Sequence, residues 1–149
     1  MSEKCSITSS MTGKTYATAN GNCKSKRLIY AATCRICCKQ YTGKTDDQVR
    51  SRVCGHRTHV NSARRQEIID ESDIAALADH LRDNHNLVNV DDFNNSYVFT
   101  ILELDPSNLD KCEQKWVSRL VTMSPFGLNI EKPCGVSDSI LAMSTRSQR

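Results

Sequence analysis

The segments RLIYAAT, residues 27–33, and KQYTGKT, residues 39–45, decide how this chain folds. Both contain β-branched and aromatic residues, and a short cysteine-rich connection, residues 34–38, joins them. Two such segments on either side of a short connection predict a β-hairpin. Tyr30 and Tyr41, eleven positions apart, then lie on its two strands.

An amphipathic helix is predicted immediately after this hairpin, over about residues 46–60. Thr45 and Gln48 have the spacing of a capping box, which places the start of the helix at residue 46. Arg52 and His56 are four positions apart and share a face beside the valine stripe of this helix. Both side chains can therefore point toward one location next to the hairpin.

Further elements follow at helical and strand spacing. Apolar residues recur as in a helix from residue 74 to about residue 85, residues 97–104 alternate as in a strand, and a last helix opens at Ser107. Glu113 lies on or beside the buried stripe of that helix, where a carboxylate usually has a partner, often a metal or a guanidinium. A glutamate that reaches water is the alternative. We expect an α+β fold with a small three-stranded antiparallel sheet flanked by helices.

With 149 residues, the chain has the length of one compact domain. Residues 1–15 and 137–149 are polar, which predicts disordered tails on either side of a domain spanning residues 16–136. No run of about eighteen apolar residues and no secretion signal is visible. We expect a soluble intracellular protein that does not contact a membrane.

Charge is distributed unevenly along the chain. Residues 1–65 carry thirteen Lys and Arg against three acids, a net charge of +10, whereas residues 66–149 carry seven against fourteen, a net charge of −7. A basic half of this kind is typical of proteins that bind a polyanion such as DNA. A solvated charged surface is the alternative explanation.

The eight cysteines favour metal binding over disulfides, because no secretion signal accompanies them. Four residues have the spacing of paired zinc ligands: Cys34, Cys37, His80 and His85. The gap of 42 residues between the two pairs is longer than in a small zinc finger. Cys38 in place of Cys37, a contribution from Cys23, or simply two reduced thiols and two exposed histidines are the alternatives.

The order of these residues resembles the GIY-YIG nuclease family. The residues and motifs that carry the resemblance are Leu28-Ile29-Tyr30, Tyr41-Thr42-Gly43, Arg52, His56, Glu113 with Trp116, and Thr122-x-x-Pro125-x-Gly127-Leu128-Asn129. The chain is similar, over roughly residues 12–135, to the endonuclease domains of Penelope-like retroelements and related mobile elements. It departs from the family motifs at Leu28, where the family has glycine, and at Thr42, where it has isoleucine.

The resemblance implies a DNA endonuclease that depends on Mg²⁺ or Mn²⁺ and nicks or cleaves phosphodiester bonds. Glu113 is then the residue that holds the cation, and Arg52 binds the scissile phosphate. Tyr30 is the general base, Tyr41 positions water or phosphate, and His56 bonds to Tyr30 or relays its proton. A phenol ionises near pH ~10, so this role requires nearby positive charge that lowers the pKa of Tyr30.

The resemblance also implies a structural zinc ion at the Cys–His set, a longer parent protein with a reverse transcriptase, and action in the nucleus. Lys39, Lys44 and Arg57 are the predicted phosphate contacts. Two alternatives remain: a zinc-stabilised nucleic-acid-binding module that does not cleave, and a structure-selective DNA repair nuclease.

Overall fold

The computed structural model describes residues 5–64 and 73–129. Its elements, in chain order, are β1 (Ser6–Thr8), β2 (Thr15–Ala17), β3 (Leu28–Cys34), β4 (Gln40–Thr45), α1 (Val49–Arg64), α2 (Asp73–His85), α3 (Val90–Ser96), β5 (Tyr97–Leu104) and α4 (Leu109–Leu120). Within these two ranges, no helix combines the length and the apolar character that crossing a bilayer requires.

A three-stranded antiparallel sheet lies at the centre, in the order β4-β3-β5. The predicted hairpin and third strand are confirmed, since they form these three strands. In the register of the sheet, Tyr30 lies opposite Gly43 of β4, and Cys34 lies opposite Tyr97 of β5. Because β3 has a neighbour on each side, almost all of its residues are buried.

The two faces of the sheet bury different apolar clusters. One face packs against α1 and α2 through residues that include Leu28, Tyr30, Val60, Leu77 and Leu81. The other packs against α4 and the β1–β2 hairpin through residues that include Ile7, Ile29, Leu102, Trp116 and Leu120. Side chains alternate along β3, so its even-numbered residues face the first cluster and its odd-numbered residues the second. The mixed α+β architecture predicted from the sequence is thus observed.

The N-terminal segment differs from the disordered tail predicted for residues 1–15. From Ser6 onward it forms the antiparallel pair β1–β2. Ile7 is buried against the α4 face of the sheet, and the hydroxyl of Ser9 donates to the carbonyl oxygen of Leu120 at 2.9 Å. The polar composition of this segment predicts disorder, but contacts with distant elements of the fold give it buried partners. The first four residues and the C-terminal tail predicted at 137–149 lie outside the described residues.

Helix α1 begins at Val49, three residues later than predicted. The hydroxyl of Thr45 accepts a hydrogen bond from the N–H of Asp47 at 3.1 Å, so the expected capping box does not form. The first two helical N–H groups are accepted, each at 3.0 Å, by carbonyl oxygens of the loop before β3: those of Ser25 and Cys23. A distant loop, not the local sequence, therefore caps this helix.

The later helices also differ in detail from the prediction. The short helix α3 was not predicted; the side chain of Asn89 caps it by accepting from the N–H of Asp92 at 2.8 Å. Helix α4 has Asn108 as its N-cap instead of Ser107, because the Asn108 side chain accepts from the N–H of Lys111 at 3.0 Å.

Residues 121–129 cover the outer edge of β4. The N–H of Leu128 donates to the carbonyl oxygen of Gln40 at 2.9 Å. The side chain of Asn129 accepts from the N–H of Thr42 at 2.9 Å and donates to its carbonyl oxygen at 2.8 Å. A carboxamide offers one donor and one acceptor as a peptide group does, so Asn129 satisfies Thr42 as a neighbouring strand would.

Candidate active site and metal centre

Tyr30 is fully buried in β3, and its ring lies across Gly43 of β4. A Cβ atom on Gly43 would lie 2.4 Å from Cζ and 2.5 Å from the hydroxyl oxygen of Tyr30. Side chains directly opposite each other in an antiparallel pair point to the same face. Because Gly43 has no side chain, it leaves the space that the ring of Tyr30 occupies.

Three predicted side chains surround this phenol. The Tyr30 hydroxyl lies 2.6 Å from Nε2 of His56, and Nε of Arg52 donates to the same oxygen at 3.3 Å. The ring centroid of Tyr41 lies 6.1 Å from that of Tyr30 and 5.2 Å from that of His56. Because Arg52 and His56 are one helical turn apart on α1, both reach one hydroxyl.

Burial raises the pKa of Tyr30 to about 12, although the charge and the hydrogen bond of Arg52 lower it. This net direction is opposite to the lowering that a general base was expected to need. Burial also lowers the pKa of Arg52, but contact with the phenols of Tyr30 and Tyr41 outweighs it, so that pKa is raised. Near neutral pH, Arg52 is charged and Tyr30 keeps its proton.

Glu113 approaches from the other face of the sheet, on α4. Its side chain is 11 % exposed, and its Oε1 lies 3.8 Å from Nζ of Lys44, which also pairs with Asp110. Lys44 lies opposite Ile29 in the β3–β4 register, so it points toward α4. It therefore points away from the phenol cluster, which consists of Tyr30, Tyr41, Arg52 and His56. The charge of Glu113 nevertheless adds to the rise in the pKa of Tyr30. Glu113 is thus coupled electrostatically to Tyr30.

The predicted phosphate contacts lie in three different parts of the molecule. Lys44 pairs with carboxylates of α4. Arg57 donates from Nη1 to Oδ1 of Asn94 at 3.3 Å, between α1 and α3. Lys39 lies near the cysteine and histidine side chains, where its charge lowers the pKa of His80. They do not form one continuous patch.

The four predicted zinc ligands come together in a cluster that could hold a metal ion. Sγ of Cys37 lies 3.2 Å from Nε2 of His80, and Sγ of Cys34 lies 3.6 Å from Nε2 of His85. The two Nε2 atoms are 3.1 Å apart, and all four ligand atoms lie within 4.8 Å of one another. Tetrahedral bonds of about 2.3 Å to sulfur and about 2.0 Å to nitrogen separate ligand atoms by roughly 3.3–3.8 Å. The three distances given above, 3.1, 3.2 and 3.6 Å, are within a few tenths of an ångström of these separations.

Strand β3 and helix α2 position the cluster. Cys34 is the last residue of β3, and the tight turn after it carries Cys37. Tyr97, opposite Cys34 in β5, donates its hydroxyl to the carbonyl oxygen of Leu77 at 2.7 Å and so fastens α2 to the sheet. The carboxy-terminal part of α2 then brings both histidines to the end of β3.

The protonation states in this cluster suit a metal only in part. Burial and the charge of His85 lower the pKa of His80 to about 4, so its imidazole is neutral near neutral pH. Burial raises the pKa of Cys34, and a metal must therefore displace its proton. Among the described residues, the cluster includes neither Cys38 nor Cys23, which were the alternatives considered from the sequence.

Sequence reasoning assigned no role to Asn129 or Gly127. Asn129 is buried and holds both backbone groups of Thr42, next to Tyr41 and Gly43. A Cβ atom on Gly127 would lie 2.4 Å from the carbonyl oxygen of Thr122, so only glycine permits this loop path. The order of these residues in the last motif was the available signal, but their contacts depend on the tertiary fold.

Comparison with known proteins adds no assignment. No protein-family model, no curated protein and no solved structure matches this chain. Any functional assignment consequently depends on the contacts within the chain, above all those of Tyr30, Arg52 and His56.

Proposed function

We propose that this chain is a DNA endonuclease that depends on a divalent metal, hydrolyses phosphodiester bonds and has the GIY-YIG nuclease fold. The observation that supports it most is the shared contact of Arg52 and His56 with the hydroxyl of Tyr30. A guanidinium binds phosphate, and a phenol beside an imidazole can transfer a proton. Apolar packing alone would not require three polar groups to meet inside a core.

Each side chain has a defined task in this proposal. Arg52 binds the scissile phosphate and stabilises the charge that develops on it. Tyr30 accepts a proton from the attacking water while it gives its own proton to His56, whose Nε2 is 2.6 Å away. Tyr41 packs against both rings and positions them. Proton transfer through His56 is needed because burial raises the pKa of Tyr30.

Glu113 fits the role of holding Mg²⁺ or Mn²⁺. Its carboxylate and that of Asp110 already attract one cation, the ammonium of Lys44. Carboxylate oxygens are ligands that both metals prefer. When bound, such a cation supplies stabilisation of the leaving oxygen and of the negative charge on the phosphate.

The cluster of cysteine and histidine side chains is proposed to hold a structural zinc ion. Two thiolates and two imidazoles form a common tetrahedral zinc set. The residues that would hold it are Cys34, Cys37, His80 and His85. They would fix the end of β3, the strand that carries Tyr30, against α2, and they take no part in the hydrolysis.

A plasmid assay tests the nuclease proposal. Purified protein is incubated with supercoiled DNA in Mg²⁺, in Mn²⁺ or in EDTA. We expect open-circular or linear product with either metal, and none with EDTA or with Glu113→Gln. Asp105→Asn makes the same chemical change at an exposed carboxylate and is expected to keep the wild-type rate. Equal product from wild type and Glu113→Gln, or no product from wild type on plasmid or branched DNA, would exclude the proposal.

One observation favours a second candidate, a zinc-stabilised nucleic-acid-binding module that does not cleave. Tyr30 is completely buried and its pKa is raised to about 12, which suits a structural residue as well as a base. DNA binding that is equal in wild type and Glu113→Gln, with no product in any metal, would favour this candidate. Faster cleavage of branched DNA than of plasmid would instead indicate a structure-selective repair nuclease.

The proposal extends to a mobile-element origin, with nuclear action and a reverse transcriptase in a longer parent protein. Its support is the similarity of the sequence motifs to Penelope-like endonuclease domains. The partner of the chain in either case is DNA, toward which the net charge of +10 in residues 1–65 is attractive.

A further inference from the structure

A groove lies between α1, β5 and the chain segment that precedes β3, and the proposed mechanism does not use it. Its volume is about 670 Å³. The floor is formed by apolar side chains: Val49, Val53, Phe99 and Ile101. The rim carries the guanidinium groups of Arg50 and Arg57 and the polar groups of residues 18–22.

This groove and the phenol cluster flank the same helix on opposite sides. Successive residues of an α-helix are about 100° apart, so Arg52 lies about 160° from Arg50 and about 140° from Arg57 around α1. The valines between them face the sheet. Arg50 and Arg52 both belong to the first turn of α1. A strand that leaves the groove across this turn therefore arrives at Arg52.

The groove offers positive charge next to an apolar floor. Nε of Arg50 donates to Oε1 of Gln48 at 2.6 Å, and Nη1 of Arg57 donates to Oδ1 of Asn94 at 3.3 Å. Both acceptors are neutral amides, so these contacts do not compensate either charge. Thr18 also lines the groove, and within the described residues its buried hydroxyl has no hydrogen-bond partner.

These features select the ligand chemistry. Phe99 can stack with a flat ring, the two guanidinium groups attract an anion, and the hydroxyl of Thr18 can bond to a polar edge. A nucleotide combines a flat ring, a polar edge and an anion. A base stacked inside a duplex does not present its face, so the groove fits an unpaired strand.

We propose that this groove binds an unpaired nucleotide of a single DNA strand, with the base against Phe99 and the adjoining phosphates at Arg50 and Arg57. The inference rests on the proposed nuclease function and deepens it, because it names the substrate class. The strand continues over the first turn of α1 to Arg52. Preferred substrates therefore carry unpaired nucleotides next to the scissile phosphate.

Binding of a labelled twelve-residue oligothymidylate, measured by fluorescence anisotropy over a range of salt concentrations, tests the charge contacts. The double variant Arg50→Gln/Arg57→Gln is expected to bind at least about tenfold more weakly at ~0.1 M salt. The slope of log K against log salt should also become shallower by about 1.4, because each contact with a single-strand phosphate contributes about 0.7 to the slope. The matched control is Lys14→Gln/Arg119→Gln, which removes two exposed charges that do not line the groove and is expected to bind within about twofold of wild type.

A photochemical cross-link tests the base position separately. The oligonucleotide carries 5-iodo-2′-deoxyuridine, and irradiation is expected to cross-link it to Phe99, as identified by mass spectrometry. The Phe99→Leu variant should lose this cross-link and bind the oligonucleotide about tenfold more weakly. Equal binding by the two double variants, or cross-links only at residues outside the groove, overturns the inference. If the wild type nicks plasmid but gives these results, only the groove proposal is excluded. If the wild type cross-links at Phe99 but never nicks plasmid, only the nuclease proposal is excluded.

Discussion

The hydroxyl oxygen of Tyr30 lies 2.6 Å from Nε2 of His56, and both side chains are completely buried. Transfer of a proton between them in the free protein would create a phenolate and an imidazolium inside the core. Such a separation of charge is unfavourable in a medium of low polarity. In the free protein the proton therefore stays on Tyr30, and only added positive charge would favour its loss.

This arrangement predicts how stability depends on pH. The pKa of Tyr30 is raised to about 12 in the folded chain, so its contribution to stability is fully present below the unfolded value near 10 and is lost as pH rises toward 12. Between about pH 9 and pH 11 the difference lowers the free energy of unfolding by about 1.3 kcal/mol. The Tyr30→Phe variant has no phenol at this position, so its free energy of unfolding should not show this decrease.

Urea unfolding of wild type and Tyr30→Phe at both pH values measures the effect. Tyr16→Phe, on the other side of the sheet and without a contact to His56, is the control and should keep the wild-type dependence. The prediction fails if Tyr30→Phe and wild type lose the same free energy between the two pH values.

The close approach of Gly43 and Tyr30 predicts a strong and specific packing effect. Gly43→Ala places a methyl group 2.4 Å from Cζ of Tyr30 and should destabilise the fold by about 1–3 kcal/mol. In a Tyr30→Ala background the same substitution should cost much less, because the ring that it meets is gone. A double-mutant cycle by chemical denaturation measures this coupling, and additive costs would contradict the packing explanation.

Much of this site could be predicted because its residues obey local periodicities. Alternation along β3 places Tyr30 on one face, and helical spacing on α1 places Arg52 and His56 together. The spacing of the two cysteines and of the two histidines predicted a set of zinc ligands, and the fold brings these four residues together in a cluster that could hold a metal ion.

The remaining features depend on contacts between distant parts of the chain. The first turn of α1 is capped by the carbonyl oxygens of Cys23 and Ser25, and these contacts are set by the path of a loop. Likewise, complete burial decides the direction of the Tyr30 pKa, and burial is a property of the packed core. Lys44 pairs with α4 only because both lie on one face of the sheet.

Asn129 is predicted to be essential for the edge of β4. Asn129→Ala removes the side-chain donor and acceptor that bond to the buried N–H and carbonyl groups of Thr42. The substitution should destabilise the protein by about 2–4 kcal/mol. The exposed Asn95→Ala should change the free energy of unfolding by less than about 0.5 kcal/mol. Comparison by chemical denaturation measures both values. Similar small effects for the two variants would show that solvent satisfies Thr42 instead.

The proposed zinc site predicts a sharp difference between adjacent cysteines. Cys37 lies in the cluster and Cys38 does not, although both are exposed. Wild type and Cys38→Ser should each contain about one zinc ion per chain after gentle purification, and Cys34→Ser/Cys37→Ser less than about a tenth of that amount. Elemental analysis by mass spectrometry measures the zinc content.

Stability should follow metal content, because a metal that binds only the folded chain stabilises it. A chelator is therefore expected to lower the Tm of wild type and of Cys38→Ser and to leave that of Cys34→Ser/Cys37→Ser unchanged. Zinc content below a tenth of an ion in wild type, or equal loss in Cys38→Ser, would contradict the assignment. Zinc content and Tm test the metal assignment without a nuclease assay. If zinc fixes the strand that carries Tyr30, its removal should also disorder the contact between Tyr30 and His56.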